Sequence, residues 1–425
     1  MKEDAFWIRE QVKAHCKWFE ESLPMIASEN IMSPLAQEMM ISDFHGRYAE
    51  GMPGKRYYQG NEFVDRVELK SMEIAKRLFR CSFVDVRPIS GTVANLAIIY
   101  ALTKPGDLIS SCALANGAHI SMAPFGAVGL RGLRTVEYPW NAKDMNIDID
   151  GTRKLLLETR PIVAQFGLSL FLFPAPLKEL KDVFQEIGCV VWYDGAHVLG
   201  LIAGGKFQDP LREGAHIITA STHKTFPGPN HGIILAEGIT EEMEKKIRRA
   251  VFPGVTSSHH LHAMAALGVT LAEEESFGIE YAEQTIRNAK ALGEALYELG
   301  MDVLCPHLGF TESHTLAVDV SKFGGGERVA KDLELANIIT NKNLLPGDES
   351  PLKPSGIRLG TQELTRVGMR ESEMKEIAKL IWKVAAKKSK PEAVKAEVKE
   401  LKKSFTKICY CFGEGQEAYA YRDLF

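Results

Sequence analysis

Lys224 stands in the segment IITASTHKTFPGPNHG, directly after an apolar run of strand character and before a turn rich in Pro and Gly. A lysine carried there sits at the ligand edge of a sheet, where partial desolvation and neighbouring cations lower an ammonium's pKa and free its amine as a nucleophile. Position alone favours an ordinary loop lysine. Thirty positions earlier, VVWYDGAH puts Asp194 at the end of another apolar run, where a carboxylate has no packing role. An amine paired with a strand-end acid suits a pyridine-based electron sink, pyridoxal 5'-phosphate, whose ring nitrogen stays protonated beside an ionised carboxylate.

A phosphate group needs donors at a helix N-terminus, and PISGTVANLAIIYAL offers Ser90, Gly91 and Thr92 ahead of a helical apolar run. In NGAHIS, His119 is an aromatic residue able to lie over a planar ring. His197 follows Asp194 by three positions and His223 adjoins the lysine; singly, each is read as a structural hydrogen-bonder.

These residues must be presented by a common scaffold. Between about 80 and 240 short apolar runs alternate with helical periods, the pattern of an α/β fold with a mainly parallel sheet covered by helices. The predicted strands are 84–88, 108–112, 135–138, 162–166, 189–194, 217–221 and 232–236, seven in all. Ligands of such sheets bind beyond the carboxyl ends of the strands, and that is where Ser90, Ser169, Asp194 and Lys224 fall. A long helical pattern from about 260 links this unit to a smaller α/β domain, with strands at 301–304 and 315–320 and helices at 326–336 and 371–386. The expected division is an N-terminal arm 1–30, a large domain 31–275, a small domain 276–390, and a C-terminal helix and tail 391–425. KKSKPEAVKAEVKELKKSF reads as an exposed, Lys/Glu-rich helix.

Composition bounds the partners. At 425 residues the chain exceeds the usual size of a single core, and 45% hydrophobic with 25% charged residues is ordinary for a globular protein. A formal net charge of -4 provides no broad positive field for nucleic acid or anionic lipid, which leaves a small-molecule partner. The seven cysteines are scattered and odd in number, which fits free thiols in a reducing cytoplasm. Cys409 and Cys411 lack a second pair of ligands to complete a metal site. The first residues mix acids and bases without the apolar core of a secretory signal, and no run reaches the roughly 20 residues of a membrane span.

From about residue 23 to 385 the chain resembles the serine hydroxymethyltransferase family, archaeal members above all. The resemblance is carried in order by LPMIASEN, RYAEGMPGKRYYQG, ISGTVAN, DGAHVLGLIAGG, STHKTFPGP, VFPG, NKNLLPGD and SGIRLGT. It implies the aspartate aminotransferase-like architecture of fold type I pyridoxal-phosphate enzymes. It also implies conversion of L-serine and a tetrahydropterin to glycine and the methylene-pterin. By residue, it makes Lys224 the Schiff-base amine, Asp194 the partner of the pyridine nitrogen and His119 the ring stacked on the cofactor. Ser90, Gly91 and Thr92 would hold the phosphate, with Ser221 and His223 close by and Ser169 on the ring hydroxyl. Arg358 would clamp the substrate carboxylate, with Ser28 and His197 at the amino-acid site. Tyr48, Glu50 and Tyr58 would reach into a neighbouring subunit's site, and Gly254 would complete the partner's phosphate cradle. A homodimer with shared sites follows from the resemblance.

The sequence departs from the bacterial and animal members at Asn230, where they carry Arg, and ANGAHISMAPFGAVGLRGLRT lacks a close match to their pteridine segment. Tetrahydrofolate and tetrahydromethanopterin both stay open as the carrier. Two rival readings are a pterin-independent aldolase acting on β-hydroxy amino acids and a relative that keeps the fold only to bind RNA or protein.

Overall fold

The structure, a computed structural model, describes every residue except Glu349, Pro351 and Phe425. The chain forms two compact units: Leu35–Glu283, and a smaller one that joins Met1–Pro34 to Gln284–Phe425. The boundary expected near 275 lies inside a single helix, Leu261–Glu298.

The larger unit is built on seven strands: β1 (Phe83–Asp85), β2 (Leu108–Ser111), β3 (Arg134–Glu137), β4 (Val163–Phe166), β5 (Val190–Asp194), β6 (Ile217–Ser221) and β7 (Gly232–Ala236). Their spatial order is β1-β7-β6-β5-β4-β2-β3. All neighbours pair in parallel except β7, which runs antiparallel to both β6 and β1. β6 and β7 occupy the predicted ranges residue for residue, and every residue of β4, β6 and β7 is buried. Such continuous apolar runs are what a sheet covered on both faces requires. β1 stops at Asp85, short of the expected 88; Pro88 has no amide hydrogen with which to continue a ladder. Helix Gly91–Leu102 lays Ala94, Ala97 and Ile98 into a core shared with Phe83, Trp192, Ile217 and Ile234.

The smaller unit carries a four-stranded antiparallel sheet, β8 (Asp302–Val303), β9 (Thr315–Asp319), β10 (Asn341–Asn343) and β11 (Gly356–Gly360), in the order β8-β9-β11-β10. Leu23–Pro24 pairs in parallel with Ile338–Ile339 and so ties the N-terminal segment to this unit. The Lys/Glu-rich C-terminal segment corrects one expectation. Its helix, Pro391–Lys402, is not exposed all round, because Val394, Val398 and Lys402 are buried. Their four-residue spacing makes a stripe on one face, and the two valines join the core with Ile381 and Ile408.

That stripe ends in a buried charge. The Lys402 ammonium lies 4.5 Å from the centre of the Tyr419 ring, and the Tyr419 hydroxyl donates to Glu363 Oε1 at 2.9 Å. Burial pushes Glu363 up to about 7 from its ordinary 4.5 and lowers Lys402. Between pH 4.5 and 7 the folded chain therefore holds a proton at Glu363 that the unfolded chain releases, so this group's contribution to stability falls as pH rises. Glu363→Gln keeps an acceptor for Tyr419 without the titration. Its thermal midpoint relative to wild type is expected to rise between pH 5 and pH 7.5, and a pH-independent difference would remove Glu363 from the titration.

Candidate active site

Two strand ends and one helix start meet at the carboxyl edge of the larger sheet. Asp194 is the last residue of β5, Ser221 the last of β6 with Lys224 three positions on, and Ser90 caps helix Gly91–Leu102. Asp194 and Lys224 are both buried, at 7% exposure each. A buried carboxylate is costly unless its oxygens are satisfied, and both oxygens of Asp194 accept a hydrogen bond. Ala196 N donates to Oδ1 at 3.0 Å and Asn95 Nδ2 to Oδ2 at 2.8 Å.

Asn95 is itself oriented from the far side. Trp192 Nε1, which can only donate, gives its proton to Thr219 Oγ1 at 2.8 Å, and Thr219 donates onward to Asn95 Oδ1 at 2.6 Å. The chain therefore has one polarity, running from an indole that only gives to a carboxylate that only takes. A branch leads from Asn95 Nδ2 to Ser121 Oγ at 3.4 Å, and Ser121 Oγ lies 2.8 Å from His119 Nδ1. Ser121 N also donates to Nδ1, at 3.2 Å, which leaves the proton of the neutral ring on Nε2. Burial lowers the His119 pKa, and Lys224 lowers it further against the opposing charge of Asp194. The imidazole is therefore held neutral and oriented beside both groups.

Two glycines allow this closeness. Gly167, just beyond β4, has φ 110 and would drive a Cβ to 2.1 Å from Asp194 O. Gly91 would drive one to 2.3 Å from Ser221 Oγ, so the helix start packs directly on the end of β6. Ser90 Oγ accepts from Val93 N at 3.2 Å, an N-cap that leaves the first-turn amides of a twelve-residue helix facing the edge. The Lys224 loop is fastened by Thr225 Oγ1, which donates to His197 O at 2.8 Å and accepts from Gly200 N at 3.1 Å. His223 is pushed down to about 4, first by burial and then by Lys224. Ser169 N donates to Gly117 O at 2.6 Å, which joins the loop after β4 to the turn that carries His119.

Elsewhere in this unit, Glu50 lies in a hairpin, Gly51–Met52 with Lys55–Arg56, and accepts from Ser257 Oγ at 2.5 Å. Tyr48 and Tyr58 flank the hairpin with ring centres 5.3 Å apart, both exposed. Gly254 lies against the Tyr100 ring and Arg249 O. Thus Ser90, Gly91, Thr92, His119, Ser169, Asp194, His197, Ser221, His223 and Lys224 all belong to the sheet edge, its helix start and its adjoining loops.

Ser28 and Arg358 belong to the smaller unit. Arg358, in the middle of β11, is buried, and desolvation brings its guanidinium down to about 10; Asn341 Oδ1 accepts from its Nε and Nη2, both at 3.3 Å. The segment around Ser28 is pinned to the same strand. Gly360 N donates to Met25 O at 2.8 Å, and Gln362 Nε2 donates to Ile26 O and Glu29 O at 2.8 and 2.7 Å.

A family model described as serine hydroxymethyltransferase matches residues 2–381. The chain belongs to the serine hydroxymethyltransferase family. Proteins named serine hydroxymethyltransferase from Thermoplasma acidophilum, Methanocella arvoryzae and Methanopyrus kandleri are 58%, 54% and 51% identical to it. Those alignments cover 99%, 95% and 99% of this chain and 99%, 95% and 98% of the relatives. The family is in general pyridoxal-phosphate dependent, and its fold type I sheet is the seven-stranded layer described above.

Sequence reasoning missed Asn95, Ser121, Thr219 and Trp192. The one signal for Asn95 was a polar side chain inside the apolar helix run ANLAIIYAL, one turn beyond Gly91. Because a methyl at position 91 requires the space of Ser221 Oγ, Gly91→Ala is expected to cost about 1–3 kcal/mol of stability by overpacking. Chemical denaturation measures it, and an unchanged midpoint would mean the helix start is not seated on β6.

Proposed function

We propose that this chain interconverts L-serine and glycine, passing the hydroxymethyl carbon to a tetrahydropterin, with pyridoxal 5'-phosphate attached at Lys224. The observation that carries the reading is the donor chain ending on Asp194 at the edge where Lys224 and the helix start also lie. The residues fit the cofactor by their chemistry: an anion-accepting helix start at Ser90, Gly91 and Thr92, a fixed acceptor at Asp194 and a buried amine at Lys224. His223 Nδ1, buried without a hydrogen-bond partner among the described residues, is a further polar atom available at this edge.

When bound, pyridoxal phosphate supplies an electron sink for negative charge developing at the amino-acid α-carbon. Asp194 would keep the ring nitrogen protonated, and the bonds from Asn95 and Ala196 fix the orientation of its carboxylate. His119, aimed by Ser121, would lie over the ring, and Ser169, Ser221 and His223 would hold its substituents. Arg358 binds the serine carboxylate through its planar fork and stays cationic at neutral pH in spite of burial. Ser28 and His197 orient the amino acid. Glu50 moves the proton of the hydroxymethyl group, steadied by the Ser257 hydroxyl, with Tyr48 and Tyr58 beside it.

A homodimer with shared sites agrees with the apolar side chains left exposed around the Glu50 hairpin, Ile41, Tyr48, Tyr57, Tyr58 and Phe63, and on the N-terminal helix, Trp7, Ile8 and Val12. In that assembly Glu50, Tyr48, Tyr58 and Gly254 serve the neighbouring subunit. Among the described residues no helix is long and apolar enough to cross a membrane, and the scattered cysteines agree with a cytoplasmic location.

Serine-dependent methylene transfer, assayed in parallel with tetrahydrofolate and tetrahydromethanopterin, tests the reading and selects the carrier. Serine cleavage that neither pterin stimulates would favour the aldolase reading. Lys224→Gln is expected to lose the borohydride-reducible yellow adduct. Arg358→Ala is expected to raise the KM for serine at least about tenfold while cofactor affinity holds; equal loss of both would make Arg358 structural.

A further inference from the structure

Glu50 sits on a two-strand hairpin too short to define its own geometry, and isolated hairpins are marginal in water. Something else must fix it. The Arg56 side chain, 4% exposed, is folded beneath the hairpin and uses all three of its nitrogens. Nε donates to Asp65 Oδ1 at 2.8 Å and Nη2 to Glu68 Oε2 at 2.5 Å, both on helix Glu62–Phe79. Nη1 donates to Ala49 O at 2.7 Å and to Gly51 O at 2.9 Å. These are the carbonyls on either side of Glu50. The carbonyl of Glu50 itself accepts from Tyr57 N at 3.0 Å, so three consecutive peptide units are immobilised around one residue. Asp65 completes the fastening by accepting from Gly54 N at 2.7 Å at the hairpin's tip.

We propose that Arg56 is the positioning residue for Glu50: its guanidinium grips the peptide groups on both sides of that acid and anchors them to Asp65 and Glu68. The inference rests on the catalytic reading of Glu50 given above and adds what holds that carboxylate at a fixed place and angle. The task demands arginine. A guanidinium presents five donors in a rigid plane, enough for two carbonyls and two carboxylates at once, whereas an ammonium has three donors on a flexible stem. A proton-transfer group displaced by about 1 Å loses on the order of a hundredfold in rate.

Arg56→Lys in the holoenzyme is therefore expected to lower kcat for serine cleavage on the order of a hundredfold. The KM for serine and the rate of glycine α-proton exchange, which needs no proton at the hydroxymethyl group, should stay within about threefold, a span of under 0.7 kcal/mol. The deciding measurement is a double-mutant cycle with Glu50→Gln. If Arg56 acts through Glu50, Arg56→Lys costs less than about threefold once Glu50→Gln is present, because the group it positions is already gone. Losses that multiply in full would overturn the proposal, as would an Arg56→Lys enzyme with wild-type turnover. A Glu50→Gln enzyme that turns over like wild type would instead refute the catalytic role of Glu50. Should Arg56→Lys not fold, Glu68→Gln keeps an acceptor for Nη2 but removes its charge, and it carries the same cycle with the same two outcomes.

Discussion

The rest of the larger unit is arranged around one carboxylate taken out of water. Asp194 is nearly buried, and an uncompensated charge there would cost more than most single contacts return. Compensation comes from two strands and a helix: the backbone amide of Ala196, and Asn95 held by Thr219 and Trp192. Trp192 and Asp194 lie on β5, Thr219 on β6 and Asn95 on the helix after β1. The register in which Asp194 faces Thr219 is thus also the register that lets the donor chain close. A one-residue slip would move every side chain of β5 to the opposite face and leave the acid unpaired. Sheet order and site chemistry are the same constraint seen at two scales.

The smaller unit handles a charge of the opposite sign by different means. Arg358 lies mid-strand in β11, and its buried guanidinium is met by a neutral amide oxygen, Asn341 Oδ1, at long hydrogen-bond distance. Desolvation draws its pKa down, and a carboxylate docked in the fork, as proposed for the substrate, would offset that penalty. Both oxygens of Asp194 are satisfied from within the fold, which suits the permanent role proposed for it.

Much of this was legible in the sequence, and the reasons for success and failure are physical. Strands β6 and β7 were read residue for residue because strands buried on both faces are continuous apolar runs bounded by polar turns. Lys224 and Asp194 stood out because each interrupts such a run at its carboxyl end. Glu50, Tyr58 and Arg358 have no local signal, and only the family resemblance singled them out. Asn95 escaped both routes: one polar residue in a helix is ordinary, and nothing along the chain indicates that position 95 meets position 194. The C-terminal helix was misjudged because its lysines and glutamates outnumber Val394 and Val398, although it is the spacing of those two that decides which face is buried.

The cluster under the Glu50 hairpin shows why some ionic groups are better explained by geometry than by stability. Arg56 and Glu68 are both almost fully buried, His259 Nε2 lies 3.3 Å from Glu68 Oε2, and Glu68 Oε1 has no hydrogen-bond partner among the described residues. A buried ion pair is often no more stabilising than apolar residues of equal volume, since desolvation offsets most of the attraction. Apolar packing would hold helix Glu62–Phe79 against the hairpin equally well. It would not reach the carbonyls of Ala49 and Gly51, and it would leave the peptide groups around Glu50 free to rotate. Directional donors are the one device that fixes both the distance and the angle of a backbone. The burial of the Arg56–Glu68 ion pair therefore marks the hairpin as a place where the orientation of a single acid outweighs the stability lost in setting it.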